Sequence, residues 1–160
     1  MNDLDERISQ IITILEKEDV LIKGVISRLF DQNELSVVWL ENTLNTPEGI
    51  DRLESFVSKF SRMQDMFVDK LLPLFLIRSG ETPKTAIDNL HRLEQLNIIS
   101  DANDWLDMRL LRNKLVHEYV DDIAQLFEHL LLAKTFFVVL SQSFERLRNI
   151  LENQTNSKLA

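Results

Sequence analysis

The chain has no cysteine, which removes disulfides, thiolate nucleophiles and cysteine-type zinc sites. Glycine and proline are scarce, at three each in 160 residues. A sandwich or barrel of many short strands needs far more turn residues, so the expected fold class is all-α. Positive charge is also in short supply: 18 Lys and Arg stand against 26 Asp and Glu, a net charge of −8. A constitutive, nonspecific nucleic-acid binder carries a basic face, and this composition leaves room only for a small local cleft of that kind. The apolar runs "LLPLFLI" and "LLLAKTFFVVL" are too short to span a bilayer, and Lys134 interrupts the second. The opening "MNDLDER" is acidic and unlike a secretory signal. A cytoplasmic location is the expectation. With 44% hydrophobic and 28% charged residues, the chain suffices for one domain with a sizeable core.

Helical periodicity dominates. Ile8, Ile11, Ile12, Leu15, Ile22, Val25, Ile26 and Leu29 form an apolar face that predicts a first helix over about 3–30, weakened by Gly24 and open to a break near Asp19. "ELSVVWLENTL" has strand-like residues, but a lone strand has nothing to pair with, so a short helix or packed connector is expected. In "NTPEG", Thr46 or Asn45 can cap and Pro47 suits the first helical position. The second helix then runs over about 47–77, with Pro73 expected to kink or end it. Thr82 and Pro83 predict a third helix over about 82–96, and Ser100 or Asp101 caps a fourth that ends near Tyr119. Asp122 and Gln125 make a capping box for a last helix over about 122–152. Its apolar positions, from Ile123 to Leu151, alternate steps of three and four, as in a bundle seam. The result is an up-and-down bundle of four long helices plus a shorter one, a single domain over 1–152 with a flexible tail over 153–160.

The segment "RNKLVHEY", Arg112 to Tyr119, concentrates polar chemistry at a helix end and holds the only tyrosine of the chain. Asn113 and His117, four apart, share a helix face, and Leu111 and Leu115 point to the core. Arg109 lies one turn before Asn113 and adds positive charge to the same surface. Histidine exchanges a proton near neutral pH, and arginine presents a permanently charged fork that matches phosphate oxygens. Together they form a phosphate site with a general base, at which an RNA 2′-hydroxyl can serve as nucleophile without a metal. A second reading stays open. A histidine complements the negative end of a helix, Arg112 can pair with Asp107, Asp121 or Asp122, and Tyr119 can simply pack.

"RNKLVHEY" fits the pattern Arg-Asn-x3-His-x-Tyr and so resembles the motif of the HEPN family, in its HepT-like branch. The preceding "LNIISDANDWLDMRLL" is similar to that branch as well, and the helices over 47–77 and from 122 resemble its other bundle helices. The first 45 residues carry little specific signal. The resemblance implies a homodimer whose two motifs meet in a cleft. It implies a metal-independent RNA endonuclease acting as a toxin, with a minimal nucleotidyltransferase as antitoxin. On that basis Arg112 stabilises the transition state, His117 is the general base or acid, Asn113 orients it or the phosphate, and Tyr119 binds substrate and is the adenylylated residue. The supporting role of Arg109 comes from helical spacing alone. The same resemblance also fits a non-catalytic subunit that binds the nucleotidyltransferase. Neither metal nor cofactor is expected.

Elsewhere the signals are weak. His91 and His129 have no second histidine at ligand spacing. Arg62 and Asp65 can reach a cleft, but a surface pair between them is the simpler expectation. Trp39 and Trp105 read as packing anchors. A plain helical dimerisation module is the third functional class compatible with the sequence.

Overall fold

The computed structural model describes residues 2–117 and 122–159, with the side chains of 116, 117, 158 and 159 also outside the description. Every regular element is helical: α1 (Asp3–Leu29), α2 (Val37–Leu44), α3 (Pro47–Met66), a π turn (Phe67–Leu71), α4 (Leu72–Arg78), α5 (Ala86–Gln95), α6 (Ala102–His117) and α7 (Ile123–Leu159). Among the described residues there is no strand. The all-α expectation is met.

The helix starts follow from side-chain caps. Asn2 accepts from the Asp5 N–H at 2.7 Å, Ser36 from Trp39 at 3.2 Å, Thr46 from Gly49 at 3.0 Å and Asp122 from Gln125 at 3.2 Å. Each satisfies a backbone donor that the first turn leaves without a partner. At the start of α6, Asp101 takes the Asn103 N–H and Glu94 takes that of Ala102, both at 2.9 Å. Two helices end on left-handed residues. Gly80, at φ 80°, follows α4, and Asn97, at φ 59°, follows α5. In each the next N–H, of Glu81 or Ile98, folds back to a carbonyl five residues earlier, at 2.8 and 3.0 Å.

Two open options are resolved and two expectations need correction. α1 runs unbroken past Asp19, because Leu15, Ile22 and Val25 keep one face in the core through that region. Of the two outcomes open for Pro73, a kink or an end, the helical run does not end there but passes through the π turn into α4. The missing proline N–H would have bonded the Asp69 carbonyl, and the chain widens just before it, with Leu72 donating to Phe67 five residues back. The third helix begins at Ala86 and not at Thr82–Pro83. Thr85 is its cap, and the Asn89 side chain bonds both the N–H and the carbonyl of Lys84, which keeps the preceding residues out of the helix. Residues 153–159, expected as a flexible tail, continue α7, where no glycine or proline interrupts them.

α1 lies antiparallel to the α3–α4 run: Phe30 packs on Phe56 at one end and Asp5 pairs with Arg78, at 3.1 Å, at the other. α7 also opposes α1, through Lys134 over the Phe30 ring, Ser141 to Asp19, and Arg148 to Glu16. Aromatic rings link these helices through the core. Phe56, Phe60 and Phe136 contact in turn, then Phe136 meets Trp105 and Trp105 stacks on Phe67 at 4.9 Å. Trp39, on α2, stacks on Phe30 at 5.3 Å. Both tryptophans are buried anchors, as expected. By length and composition α7 could cross a membrane. It contributes Leu126, Leu130, Ala133, Phe136, Phe137 and Leu140 to the core while exposing Leu132 and Val138.

Candidate functional site

α6 packs one side into the core through Trp105, Leu111 and Leu115, all buried. Its neighbouring side, carrying Arg109, Arg112 and Asn113, faces α3. Between the two helices lies an open groove of about 1160 Å³. α3 contributes Glu54, Ser58, Ser61, Arg62 and Asp65, and the π turn contributes Asp69 and Lys70. Apolar Val57, Met66 and Leu115 complete the lining.

The structure thus brings together three of the five residues singled out in sequence: Arg109, Arg112 and Asn113. His117 belongs to α6, five residues beyond Arg112, but its side chain lies outside the described residues, as does all of Tyr119.

Both arginines have counter-ions on the opposite wall. Arg112 Nη1 donates to Asp65 Oδ1. Arg109 Nη2 donates to Asp69 Oδ2 at 2.6 Å and lies 3.7 Å from Asp65 Oδ1. Among the described residues the counter-ion of Arg112 is Asp65, across the groove on α3, and neither Asp107 nor Asp122; Asp121, the third partner the sequence allows, lies outside the described residues. The expected Arg62–Asp65 surface pair is not what forms. Arg62 turns to Glu18 on α1, at 3.6 Å, and Asp65 faces the arginines. The arginine side chains are 25% and 19% exposed, and the two aspartates 46% and 49%. The Nε of Arg109 is covered and has no acceptor among the described residues.

Four cations (Arg62, Lys70, Arg109, Arg112) and three carboxylates (Glu54, Asp65, Asp69) line the groove. With the Glu18 that pairs with Arg62, the charges of the described residues balance here, in a chain whose net charge is −8. The guanidinium forks supply planar, charge-assisted donors, and Ser58, Ser61 and Asn113 add neutral ones.

The sequence reading missed Asp69, Lys70, Ser58 and Ser61. A signal for them existed: Glu54, Ser58, Ser61, Asp65 and Asp69 recur at steps of three and four, a polar row along a helix whose other side is apolar. His91 and His129 lie on α5 and α7 and are not among the groove residues. No protein-family model, curated protein or solved structure matches the chain.

Proposed function

We propose that this protein is a HEPN-type, HepT-like toxin, an RNA endonuclease that cuts without a metal in a cleft shared by two copies of the chain. In this reading the cytoplasmic bundle follows the up-and-down arrangement of that family, and a minimal nucleotidyltransferase partner silences it by adenylylating Tyr119. The observation that carries the reading is the groove itself. The first two residues of the motif, Arg112 and Asn113, line a groove that gathers four cations in an acidic chain, Arg109 among them.

The chemistry follows from the residue types. The 2′-hydroxyl gives its proton to His117 as its oxygen attacks the adjacent phosphorus. The bond from phosphorus to the 5′-oxygen breaks, and that oxygen takes up a proton, leaving a 2′,3′-cyclic phosphate and a 5′-hydroxyl. Arg112 offsets the charge that builds on the phosphoryl oxygens, and Asn113 holds the phosphate or the base in register. Two facing copies allow one His117 to act as base and the other as acid.

The test is incubation of purified protein with RNA, beside Arg112→Ala and His117→Ala proteins. Cleavage should fall by about 10²–10⁴-fold in each variant. Growth arrest on expression of the chain alone should disappear with His117→Ala. Wild-type cleavage rates in both variants would overturn the reading. One observation favours a second reading, a non-catalytic subunit that binds the nucleotidyltransferase: Arg109 and Arg112 are already engaged by carboxylates. Under that reading RNA stays intact while co-expression with the partner still yields a complex.

A further inference from the structure

We infer that Asp65 and Asp69 are a built-in anionic stopper on the groove, and that a phosphodiester chain gains Arg109 and Arg112 only by displacing them. The inference rests on the phosphate-binding reading of the groove and names what competes with the ligand there.

A carboxylate and a phosphate use a guanidinium in the same way, through paired oxygens set against its N–H edges. Asp65 on Arg112, and Asp69 on Arg109 at 2.6 Å, therefore occupy donors that a phosphate would use. The two sides of each pair differ in freedom. The arginines are largely covered, whereas the aspartates are about half exposed and have room to turn into water. A carboxylate released in this way is rehydrated at once, and ion pairs this exposed contribute little. Among the described residues the network is also incompletely satisfied, because the covered Nε of Arg109 has no acceptor there. Displacing Asp69 by a phosphate exchanges one anion for another and offers that donor a further oxygen. The stopper works because it is weak: it neutralises two of the four groove cations until a ligand with several phosphates competes for them together.

Charge is the variable to change. Asp65→Asn and Asp69→Asn keep the side-chain shape and remove the competing charge. Their binding should be read by fluorescence anisotropy with a labelled 2′-O-methyl oligouridylate, which has the phosphates of RNA but no nucleophile and so is not cut. Each variant should bind about two- to fivefold tighter than wild type, and the double variant about tenfold. The log–log dependence of affinity on salt should steepen by up to about 1.4 in the double variant, as two more phosphates are neutralised. Unchanged or weaker binding by a double variant that melts like wild type would overturn the stopper. Weaker binding would make Asp65 a residue that orients Arg112. Should the double variant fail to fold, Asp69→Asn alone carries the same expectation. Arg112→Ala separates the two ideas. If it weakens binding while the asparagine variants change nothing, only the stopper falls. If Arg112→Ala binds like wild type, or if no protein binds the probe, the phosphate-binding reading falls with it.

Discussion

Gly49 stands in the first turn of α3, buried against the end of α2. A Cβ added there would lie 1.9 Å from the Thr43 carbonyl oxygen and 2.8 Å from its carbon. Both are far inside contact distance, and the obstacle is backbone. α2 cannot easily retreat, because Trp39 is wedged between Phe30 and Phe127, with ring centroids at 5.3 and 6.4 Å. Glycine to alanine inside a helix ordinarily stabilises by up to about 1 kcal/mol. Here overpacking opposes it, at about 1–3 kcal/mol or more. We expect Gly49→Ala to lose about 1–2 kcal/mol, a fall in Tm of roughly 2–8 °C for a chain of this size. Gly24→Ala is the internal control. Its Cβ meets only the flexible Arg28 guanidinium, 3.2 Å away at Nη1, so the same substitution should gain about 0.4–1 kcal/mol. Thermal and urea unfolding followed by circular dichroism read both changes. A Gly49→Ala protein as stable as wild type would refute the close α2–α3 approach.

Gln64 is fully buried on α3, and neither of its amide atoms bonds to another group among the described residues. Gln64→Met keeps the volume and removes the buried dipole, so it should raise stability by about 1–3 kcal/mol in urea titrations. Arg112→Lys keeps the charge but loses the fork. Its ion pair is half exposed on the Asp65 side, so Tm should move by no more than about 2 °C, while RNA cleavage by the proposed mechanism should fall by about 10²-fold in the same preparation.

Periodicity and caps carried most of the fold. Thr46 with Pro47, and Asp122 with Gln125, mark helix starts because each pairs a short acceptor with the donors of the next turn. Thr82–Pro83 looked equally good and failed, since Thr85 offers the same cap and Asn89 secures it by holding Lys84. A side chain reaching back five residues leaves no periodic trace. The site was legible where it lies on one helix: Arg109, Arg112 and Asn113 share a groove as their spacing implied. Its opposite wall was not, because no local pattern says which carboxylate, thirty or more residues away, will face an arginine. Asp65 is 47 positions from Arg112, and Asp69 is 40 from Arg109.

The π turn carries Asp69 and Lys70 into the groove, while the proline that follows it removes the donor Asp69 would otherwise have met. A π turn is an α-helix holding one residue too many, so Phe67–Leu71 is the point at which this helix tolerates a change of length. A chain with alanine at position 73 regains that donor. One that also drops a single residue from the turn regains regular α spacing, with its apolar face still continuous. It would, however, re-aim Asp69 and Lys70 relative to Glu54 and Asp65, which precede the turn and keep their places on α3. The charge of this groove is thus set partly by a residue count and not only by residue identity.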